Sequence, residues 1–343
     1  MRAIVIHAAK DLRIEDRPAA APGPGEVRVR MAMGGICGSD LHYFSHGGFG
    51  AVRLREPMIL GHEVAGHVAE LGPGVEGLAI GDLVAVSPSR PCGACRFCAA
   101  GMPNHCLDMR FYGSAMPFPH IQGAFREELI ADARQCVPAA GLTPSLAAMA
   151  EPLAVCLHAA GRAGDLLGRR VLVTGSGPIG CLAILAARRA GAVEIVATDI
   201  APAPLAHART VGADATVDMA ATPDGLAPWT AAKGAFDVLF ECSGAPAALT
   251  AAVPALRPRA IVVQLGLGGD MTLPVQAMTA KEIELRGSFR FHEEFATAVR
   301  LMQAGLIDPS PLVTHTVALE EAAHGFALAA DRSVAMKTQI RFA

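Results

Sequence analysis

The sequence lacks an excess of positive charge, a long apolar run and a recognisable leader. Its 343 residues contain 29 lysines and arginines against 32 aspartates and glutamates, so it has no basic stripe of the kind that a nucleic-acid backbone requires. No uninterrupted apolar run reaches about 18 residues, the length that a membrane-spanning helix needs. The opening "MRAIVIHAAKDLRIED" alternates like a strand and lacks the apolar core and cleavage site of a signal peptide. We therefore expect a cytoplasmic protein whose partners include neither nucleic acid nor a membrane.

The nine cysteines lack the even number and the wide spread of a secreted disulfide framework. Four of them fall between positions 92 and 106, which favours metal binding over disulfide bonding. The rest of the composition, 52% hydrophobic with 36 glycines, fits an α/β protein in which small residues pack helices onto a sheet. A chain of this length is expected to form two domains.

Two kinds of pattern divide the chain. Residues 1–150 are rich in Gly, Pro and short β-like runs such as "GEVRVRMAMGG", which is typical of an irregular, mainly β domain. Strand-like "RRVLVTG", "VEIVATD" and "FDVLFECSG" then alternate with helical "PIGCLAILAARRAG" and "APAALTAAVPALRP", which predicts about six parallel strands in a doubly wound fold. The closing "MKTQIRFA" again alternates like a strand. We predict a β-rich catalytic domain over 1–152, a nucleotide-binding domain over 153–288 and a return to the first domain over 289–343.

The stretch "GSGPIG" matches the G-x-G-x-x-G fingerprint of dinucleotide-binding folds. It follows a predicted strand and opens a predicted helix, where glycines allow a tight turn, close approach of pyrophosphate and close packing of helix on sheet. The alternative is a glycine-rich turn with an incidental surface aspartate nearby. The predicted cofactor-binding residues are Gly175, Gly177, Pro178, Ile179, Gly180 and Asp199.

The preferred cofactor is indicated by Asp199, which ends the second predicted strand 19 residues after Gly180. A carboxylate there accepts hydrogen bonds from the adenosine ribose and repels a 2′-phosphate, so NAD is expected rather than NADP. Arg209 on the next helix softens that preference, because a cation near the ribose favours the phosphate. NADP therefore stays an alternative.

A second motif, "CGACRFCAAGMPNHC", places Cys92, Cys95, Cys98 and Cys106 in a C-x2-C-x2-C-x7-C spacing. Two-residue gaps allow successive thiolates to surround one ion, and four thiolates leave no open position, so we predict a structural zinc. Iron–sulfur ligation uses a similar spacing and is an alternative, as is a metal-free cluster. His105 is a candidate substitute ligand.

Candidate ligands for a reacting metal lie in two glycine-flanked turns. "GGICGSD" supplies Cys37, and "LGHEVAG" supplies His62 and Glu63. One thiol or imidazole alone is more often structural, but the pair in a β-rich domain before a nucleotide fold is specific. A catalytic zinc of the cysteine–histidine type needs a third protein ligand, which these turns do not settle.

With these motifs the chain resembles the zinc-containing medium-chain dehydrogenases over essentially its full length. This resemblance implies a GroES-like catalytic domain joined to a Rossmann domain, with a catalytic and a structural zinc. The stretch "AEPLAVCLHA" is similar to the sorbitol dehydrogenase-like branch, whose glutamate before proline matches Glu151 as third ligand beside Cys37 and His62. Glu63 is implied close behind as an alternative or water-bridged ligand. In the same stretch, Cys156 is expected to be packed in the core, and His158 to lie in the core or at the domain interface.

The resemblance also implies roles around the metal. Ser39 and His42 match the family's relay positions, through which the substrate proton passes by way of the cofactor ribose to an exposed imidazole. Asp40 matches a carboxylate that orients the ligand His62 through its other ring nitrogen. A turn serine and an exposed histidine are the alternative for the relay pair.

Several stretches, among them "DMRFYGSAMPFPHIQGAF" and "LRGSFRF", are more similar to L-idonate dehydrogenases than to sorbitol or xylitol dehydrogenases. They imply the reversible oxidation of L-idonate to 5-keto-D-gluconate. A sugar acid needs a partner for its carboxylate, and arginine is the expected one. The predicted substrate residues are Tyr43, Arg110, Arg290 and Phe291, with Arg53 and Arg55 as weaker candidates.

Two alternatives to this reading stay open. A polyol (sorbitol or xylitol) or L-threonine dehydrogenase of the same branch would share every zinc and cofactor residue. A nucleotide-binding protein without turnover is the alternative outside enzymes, although Cys37, His62 and Glu151 together argue against it. The family usually assembles as dimers or tetramers, so a homodimer or homotetramer is expected.

Overall fold

A computed structural model of the chain, which describes residues 1–342, contains two large β-sheets. The strands are β1 (Arg2–Ala8), β2 (Asp11–Asp16), β3 (Glu26–Gly35), β4 (Gly48–Phe49), β5 (Val52–Arg53), β6 (Met58–Ile59), β7 (Glu63–Leu71), β8 (Leu83–Val86), β9 (Ser89–Arg90), β10 (Arg110–Phe111), β11 (Glu128–Asp132), β12 (Cys136–Pro138), β13 (Arg170–Thr174), β14 (Glu194–Asp199), β15 (Ala215–Asp218), β16 (Phe236–Glu241), β17 (Leu256–Gln264), β18 (Glu284–Gly287), β19 (Val313–Ala318) and β20 (Lys337–Arg341). The α-helices are α1 (Gly38–His46), α2 (Arg96–Ala99), α3 (Pro144–Ala148), α4 (Ala150–Ala163), α5 (Pro178–Arg189), α6 (Pro202–Thr210), α7 (Pro246–Ala252), α8 (Val275–Ala280), α9 (Glu294–Gln303) and α10 (Ala322–Ala330).

The first sheet combines strands from both ends of the sequence. Its order is β12-β8-β7-β3-β20-β19, and β11 pairs with β3 as well. Alternation along β3 directs Val27, Val29 and Met31 into a fully buried core, as expected for a strand with one apolar face. Near the end of the chain, β20 pairs antiparallel with β3. Residues close to the C-terminus therefore lie beside the segment that carries Cys37.

The second sheet has six parallel strands in the order β15-β14-β13-β16-β17-β18. This 3-2-1-4-5-6 order is that of a doubly wound dinucleotide fold, so the predicted six-stranded parallel sheet is confirmed. Residues Val171, Leu172 and Val173 of β13 are all fully buried, because helices cover both faces of such a sheet. The strand order reverses between β13 and β16, which marks the crevice where ligands bind.

One predicted helix is shorter than expected. The stretch "APAALTAAVPALRP" reads as a single helix in sequence, but α7 ends at Ala252 and β17 begins at Leu256. Pro254 cannot continue the helix because it lacks a backbone N–H, and Leu256 pairs with Phe236 of β16 instead.

Helix α4 links the two sheets through its packing. It runs through position 152, where the sequence pattern changes, and packs against α5 and α9. The Cys156 thiol donates to the carbonyl of Ile179 (3.3 Å), and the His158 Nδ1 lies 2.9 Å from Glu294 Oε1. Cys156 is buried in the core, as expected. His158 is partly exposed and pairs with Glu294 of α9, so it lies between two helices rather than in the core. Because Glu151 lies in the first turn of the same helix, the metal and nucleotide candidates are connected by one rigid element.

Within residues 1–342, none of the helices combines the length and apolar character needed to cross a bilayer.

Candidate active site

Strand pairing brings the two candidate ligand turns together. β3 ends at Gly35 and β7 begins at Glu63, and these two residues are paired across the antiparallel ladder. Cys37 follows β3 by two positions, and His62 immediately precedes β7. Two residues that are 25 positions apart in sequence are therefore neighbours because of the register of the sheet.

Asp40 connects the two turns by hydrogen bonds to the backbone of each. Its side chain has no exposed surface, and its Oδ2 accepts from the backbone N–H of Cys37 (3.0 Å), the residue that caps α1. The other oxygen, Oδ1, accepts from the N–H of Gly61 (3.1 Å). Asp40 Oδ1 lies 3.8 Å from His62 Nδ1, which is too long for a hydrogen bond. Asp40 therefore forms hydrogen bonds with the backbone of both turns, and its interaction with the imidazole ring is electrostatic only.

The ligand atoms of Cys37, His62 and Glu63 all lie within 4.8 Å of one another. The buried His62 Nδ1 has no hydrogen-bond partner within residues 1–342, and it lies 3.8 Å from Asp40 Oδ1. That arrangement suits a metal-binding imidazole, which commonly turns one nitrogen to a carboxylate and the other to the ion. Thiolate, imidazole and carboxylate are the donors that zinc uses in proteins.

Lys337 is a functional neighbour that the sequence analysis missed. Its Nζ donates to Glu63 Oε1 (2.6 Å) and to the carbonyl of Ile36 (3.0 Å), and both members of the ion pair are almost fully buried. A Cβ on Gly35 would lie 2.2 Å from Glu63 Oε2, so only glycine leaves room for this pair. The one sequence feature that could have indicated this neighbour is the single lysine in the alternating strand "MKTQIRFA". The pairing holds the Glu63 carboxylate towards Lys337.

Glu151 lies in the first turn of α4 and is only 5% exposed. Its pKa is raised to about 8, chiefly by burial and also by the charges of Glu63 and Cys37, while the neighbouring His62 acts in the opposite direction. Burial and the charge of Glu63 likewise raise the pKa of Cys37 to about 12. A buried cluster of acidic groups with these shifts is stabilised by a divalent cation. Cys37, His62 and Glu63 therefore fit a zinc ion. Glu151 is not among the ligand atoms that lie within 4.8 Å of one another, but its charge interacts with His62, Glu63 and Cys37.

The four sulfurs of the cysteine lobe (Cys92, Cys95, Cys98 and Cys106) also lie within 4.8 Å of one another. Cys95 Sγ is 3.6 Å from Cys98 Sγ, close to the ~3.8 Å edge of a tetrahedron with 2.3 Å zinc–sulfur bonds. The backbone N–H groups of Leu107 and Cys98 lower the pKa of Cys95 to about 6, which favours a thiolate. All nine cysteines are free of disulfides. The lobe therefore fits a structural zinc.

The relay candidates lie on one face of α1. Ser39 and His42 are three positions apart, the spacing that makes helical neighbours. His42 is half-buried, and burial together with His46 and Arg332 lowers its pKa. A lowered pKa favours the neutral imidazole, which is the form that accepts a proton.

The nucleotide loop has the geometry that its glycines predict. Gly175 follows β13 with φ of +82°, a conformation that L side chains rarely adopt, and Gly177 caps α5 with open space around it. A Cβ on Gly180 would lie 1.8 Å from the carbonyl of Gly175, so close packing requires glycine there too. Pro178 and Ile179 open α5, whose N-terminus suits a phosphate.

Asp199 stabilises this loop from the neighbouring strand. It ends β14, and its Oδ2 accepts from the N–H of Ser176 in the glycine-rich loop (2.7 Å). Its Oδ1 accepts from the N–H groups of Ile200 (2.7 Å) and Ala201 (3.1 Å). The Arg209 guanidinium donates to Thr216 Oγ1 (2.7 Å). A carboxylate thus lies at the edge of the crevice where an adenosine ribose is expected.

The structure separates the four substrate candidates. Arg290 lies near Glu151 and Tyr43, whose charges act on its pKa, and the Tyr43 hydroxyl accepts from the N–H of Ala115 (3.0 Å). Phe291 has no exposed surface and stacks on Phe295 in the core, which corrects the expectation that it lines the substrate pocket.

The other arginines lie elsewhere. Arg110 lines a surface pocket of about 400 Å³ with Arg90, Cys92 and Arg134 beside the cysteine lobe, and its role towards the substrate stays a prediction. The side chain of Arg53 donates to nearby backbone carbonyls, and Arg55 lies over the ring of Phe118. Arg290 is therefore the one candidate arginine that the structure places beside Glu151.

The chain is similar to zinc-binding dehydrogenases in both sequence and fold. The model of the alcohol dehydrogenase GroES-like domain matches residues 23–141, and that of the zinc-binding dehydrogenase matches residues 178–304. L-idonate 5-dehydrogenase (NAD(P)(+)) of Escherichia coli strain K12 is 43% identical over 316 residues, covering 92% of this chain and 91% of that protein. Sorbitol dehydrogenase of Gallus gallus is 38% identical, covering 94% and 92%. The crystal structure of the E. coli L-idonate 5-dehydrogenase matches with a TM-score of 0.95 at 41% identity, covering 99% of this chain and 98% of that one.

Proposed function

Since the chain belongs to the zinc-binding medium-chain dehydrogenase family and is an NAD(P)-dependent oxidoreductase, we propose that its substrate is a sugar acid. The reaction is the reversible oxidation of a secondary hydroxyl, with L-idonate converted to 5-keto-D-gluconate. The similarity to the E. coli L-idonate 5-dehydrogenase supports this substrate. The observation that carries the proposal is the environment of Arg290.

Arg290 is a half-buried cation, and no carboxylate of residues 1–342 forms an ion pair with it. Its guanidinium lies 4.5 Å from the ring centre of Phe111 and 4.8 Å from that of Phe289, and within residues 1–342 its side chain donates only to the sulfur of Met116 (3.5 Å). Burial lowers its pKa, and its φ of +58° is a strained value for a residue with a side chain. A cation clamped between two rings beside Glu151 suits a substrate carboxylate.

The other residues have separate tasks in this proposal. Cys37, His62 and Glu151 hold the catalytic zinc, while Lys337 keeps Glu63 behind it. When bound, zinc supplies the Lewis acidity that lowers the pKa of a hydroxyl, and NAD(P) supplies the hydride acceptor. Ser39 and His42 carry the released proton towards solvent, and Tyr43 fixes the wall of the pocket through Ala115.

Replacing Arg290 with methionine tests the proposal, because methionine keeps the packing between the rings and removes the charge. We expect the KM for L-idonate to rise about 30-fold to 100-fold, the value of a lost charge-assisted pair, with little change for sorbitol. Steady-state kinetics on both substrates measure this. Arg110→Met is the matched control and should leave both KM values unchanged. Equal losses on both substrates would show that Arg290 does not recognise a carboxylate.

The sequence identity of 38% with the sorbitol dehydrogenase of Gallus gallus supports a neutral polyol as the second candidate substrate. The two candidates differ in the need for a cation, since a polyol has no carboxylate for Arg290. If the Arg290→Met variant keeps full activity on both sorbitol and L-idonate, the result would favour the polyol as substrate.

We propose NAD as the preferred cofactor, on the basis of Asp199. Asp199→Asn keeps an oxygen for the N–H of Ser176 and removes the negative charge, although its amide nitrogen no longer accepts from Ile200 and Ala201. That lost acceptor affects both cofactors alike, so NADPH binding should strengthen about tenfold relative to NADH. Fluorescence titration with NADH and NADPH measures the ratio of the two Kd values. Asp218→Asn, at the same end of the adjacent strand β15, should leave the ratio unchanged. An unchanged ratio in Asp199→Asn would argue against this role.

We also propose one catalytic and one structural zinc per chain and a homodimer or homotetramer. The outer strand β18 has an unpaired edge within residues 1–342, which is a surface that a second copy can extend. Light scattering of the purified protein measures the assembly.

A further inference from the structure

Glu241 is a buried carboxylate that neither the metal site nor the nucleotide fingerprint uses. It ends β16 in the apolar stretch "FDVLFE" and has no exposed surface. Within residues 1–342 no lysine, arginine or histidine forms an ion pair with it, so its charge is balanced by hydrogen bonds. A buried anion of this kind is costly unless it organises several donors.

The donors come from the ends of the two strands that flank β16 and from the loop that follows β16. Glu241 Oε1 accepts from the N–H of Ser243 (2.9 Å), from its hydroxyl, and more distantly from Thr174 Oγ1 (3.4 Å). Oε2 accepts from the N–H of Gly244 (3.0 Å) and from Gln264 Nε2 (2.6 Å). Thr174, Glu241 and Gln264 are paired in register at the carboxyl edge of the sheet. One carboxylate therefore ties β13, β16 and β17 together where the crevice opens.

The loop after β16, which Glu241 stabilises, packs between the fingerprint loop and the loop after β17. A Cβ on Gly175, in the fingerprint loop, would lie 2.8 Å from Ser243 Cα. On the opposite side, a Cβ on Gly266 would lie 2.1 Å from Gly244 N, and one on Gly268 would lie 1.7 Å from Gly244 O. The three loops leave no space between their backbones, so the position of the middle loop sets the position of the loop at 265–268 relative to the fingerprint loop.

The strand order shows which half of the cofactor these loops meet. In a 3-2-1-4-5-6 sheet the first three strands form one mononucleotide-binding half and the last three form the other. Asp199 lies in the first half, at the adenosine ribose. The loops after β16 and β17 lie in the second half, beside the switch point, where the nicotinamide nucleotide binds.

We infer that Glu241 is a positioning residue for the nicotinamide half of the cofactor. It acts through the loops at 242–245 and 265–268, which it holds at a fixed spacing from the fingerprint loop. This inference rests on the NAD(P)-dependent function but not on the identity of the sugar acid. Glu241 acts only through these loops and does not itself contact the transferred hydride.

Glu241→Gln tests the inference with little change in shape, because the new amide group donates and cannot accept from Gly244 or Gln264. We expect the Kd for NADH to rise about tenfold or more, with a changed emission maximum of bound NADH. The Kd for AMP, which carries only the adenosine half, should change by less than about twofold. Fluorescence titration with NADH and competition with AMP measure both, without any substrate.

Two further variants make the test decisive. Glu284→Gln on the neighbouring strand β18 removes an exposed carboxylate that pairs with Arg286, and it should change neither Kd. Ser243→Ala removes one donor and keeps the carboxylate, so it should weaken NADH binding in the same direction but less, even if Glu241→Gln fails to fold. Equal losses for NADH and AMP, or unchanged NADH binding in Ser243→Ala and Glu241→Gln, would overturn the inference. Since no sugar acid is present, a wrong substrate assignment cannot produce either result.

Discussion

Turnover in Glu151→Ala is expected to fall at least about a thousandfold, while folding and NADH binding stay intact. The reason is that the variant leaves only Cys37 and His62 to hold the catalytic zinc, and the Lewis acidity that this ion supplies is worth several kcal/mol of barrier. Glu63 cannot replace the lost carboxylate without leaving Lys337 buried and unpaired. Initial rates, elemental analysis and NADH titration measure the three parts. Zinc content should drop from two ions to one per chain.

The matched control for this variant is Cys156→Ala, one turn further along α4. Its thiol donates to the Ile179 carbonyl and faces away from the metal group, so both zinc ions and activity should be retained. If Cys156→Ala loses the catalytic zinc and Glu151→Ala keeps it, the ligand has been assigned to the wrong residue.

The second large effect is expected in the cysteine lobe. Cys98→Ser removes one of four mutually close sulfurs, and a structural zinc that binds with four thiolates contributes folding free energy directly. We expect Tm to fall by about 10 °C, corresponding to a loss of roughly 3–5 kcal/mol. The KM for the sugar acid should rise too, because Asn104 of the lobe donates to the Phe289 carbonyl (3.1 Å), and Phe289 flanks Arg290.

Cys136→Ala is the control for this loss. Cys136 is a buried cysteine outside the lobe, so its replacement should lower Tm through packing alone and keep both zinc ions. Calorimetry with elemental analysis distinguishes the two. An unchanged zinc content in Cys98→Ser would contradict a four-thiolate site.

The parts of the fold that the sequence predicts best are those in which local pattern and tertiary structure agree. The G-x-G-x-x-G stretch requires its glycines for backbone reasons alone, as the φ of Gly175 and the close approach at Gly180 show. The apolar strands of the parallel sheet are equally visible, because they are buried on both faces. The end of α7 is not predictable in this way, because the pairing of Leu256 with β16 depends on a strand outside the local sequence.

The candidate site shows the same division between local and distant causes. Cys37, His62 and the four lobe cysteines stand out by residue type and spacing. Lys337 does not, because its role depends on β20 pairing with β3 more than 300 positions earlier in the sequence. The resemblance implies that Asp40 orients His62, but its oxygens accept hydrogen bonds from the N–H groups of Cys37 and Gly61 and lie 3.8 Å from His62 Nδ1.

Substrate residues were the least predictable, because aromatic and arginine positions carry no spacing signal. Phe291 and Phe289 are two positions apart on a segment that follows β18. Phe291 is buried against Phe295, while Phe289 lies beside Arg290. Similarly, Arg110 and Arg290 are indistinguishable by residue type, yet only Arg290 lies near Glu151.

The most direct measurement of the central claim is the ratio of kcat/KM for L-idonate and sorbitol, determined on zinc-replete protein with NAD. L-idonate carries the carboxylate that Arg290 is proposed to bind, and sorbitol offers hydroxyls without it. We predict a ratio of at least about 30 in favour of L-idonate, the selectivity that one charge-assisted contact provides. A clear preference for sorbitol would contradict the account.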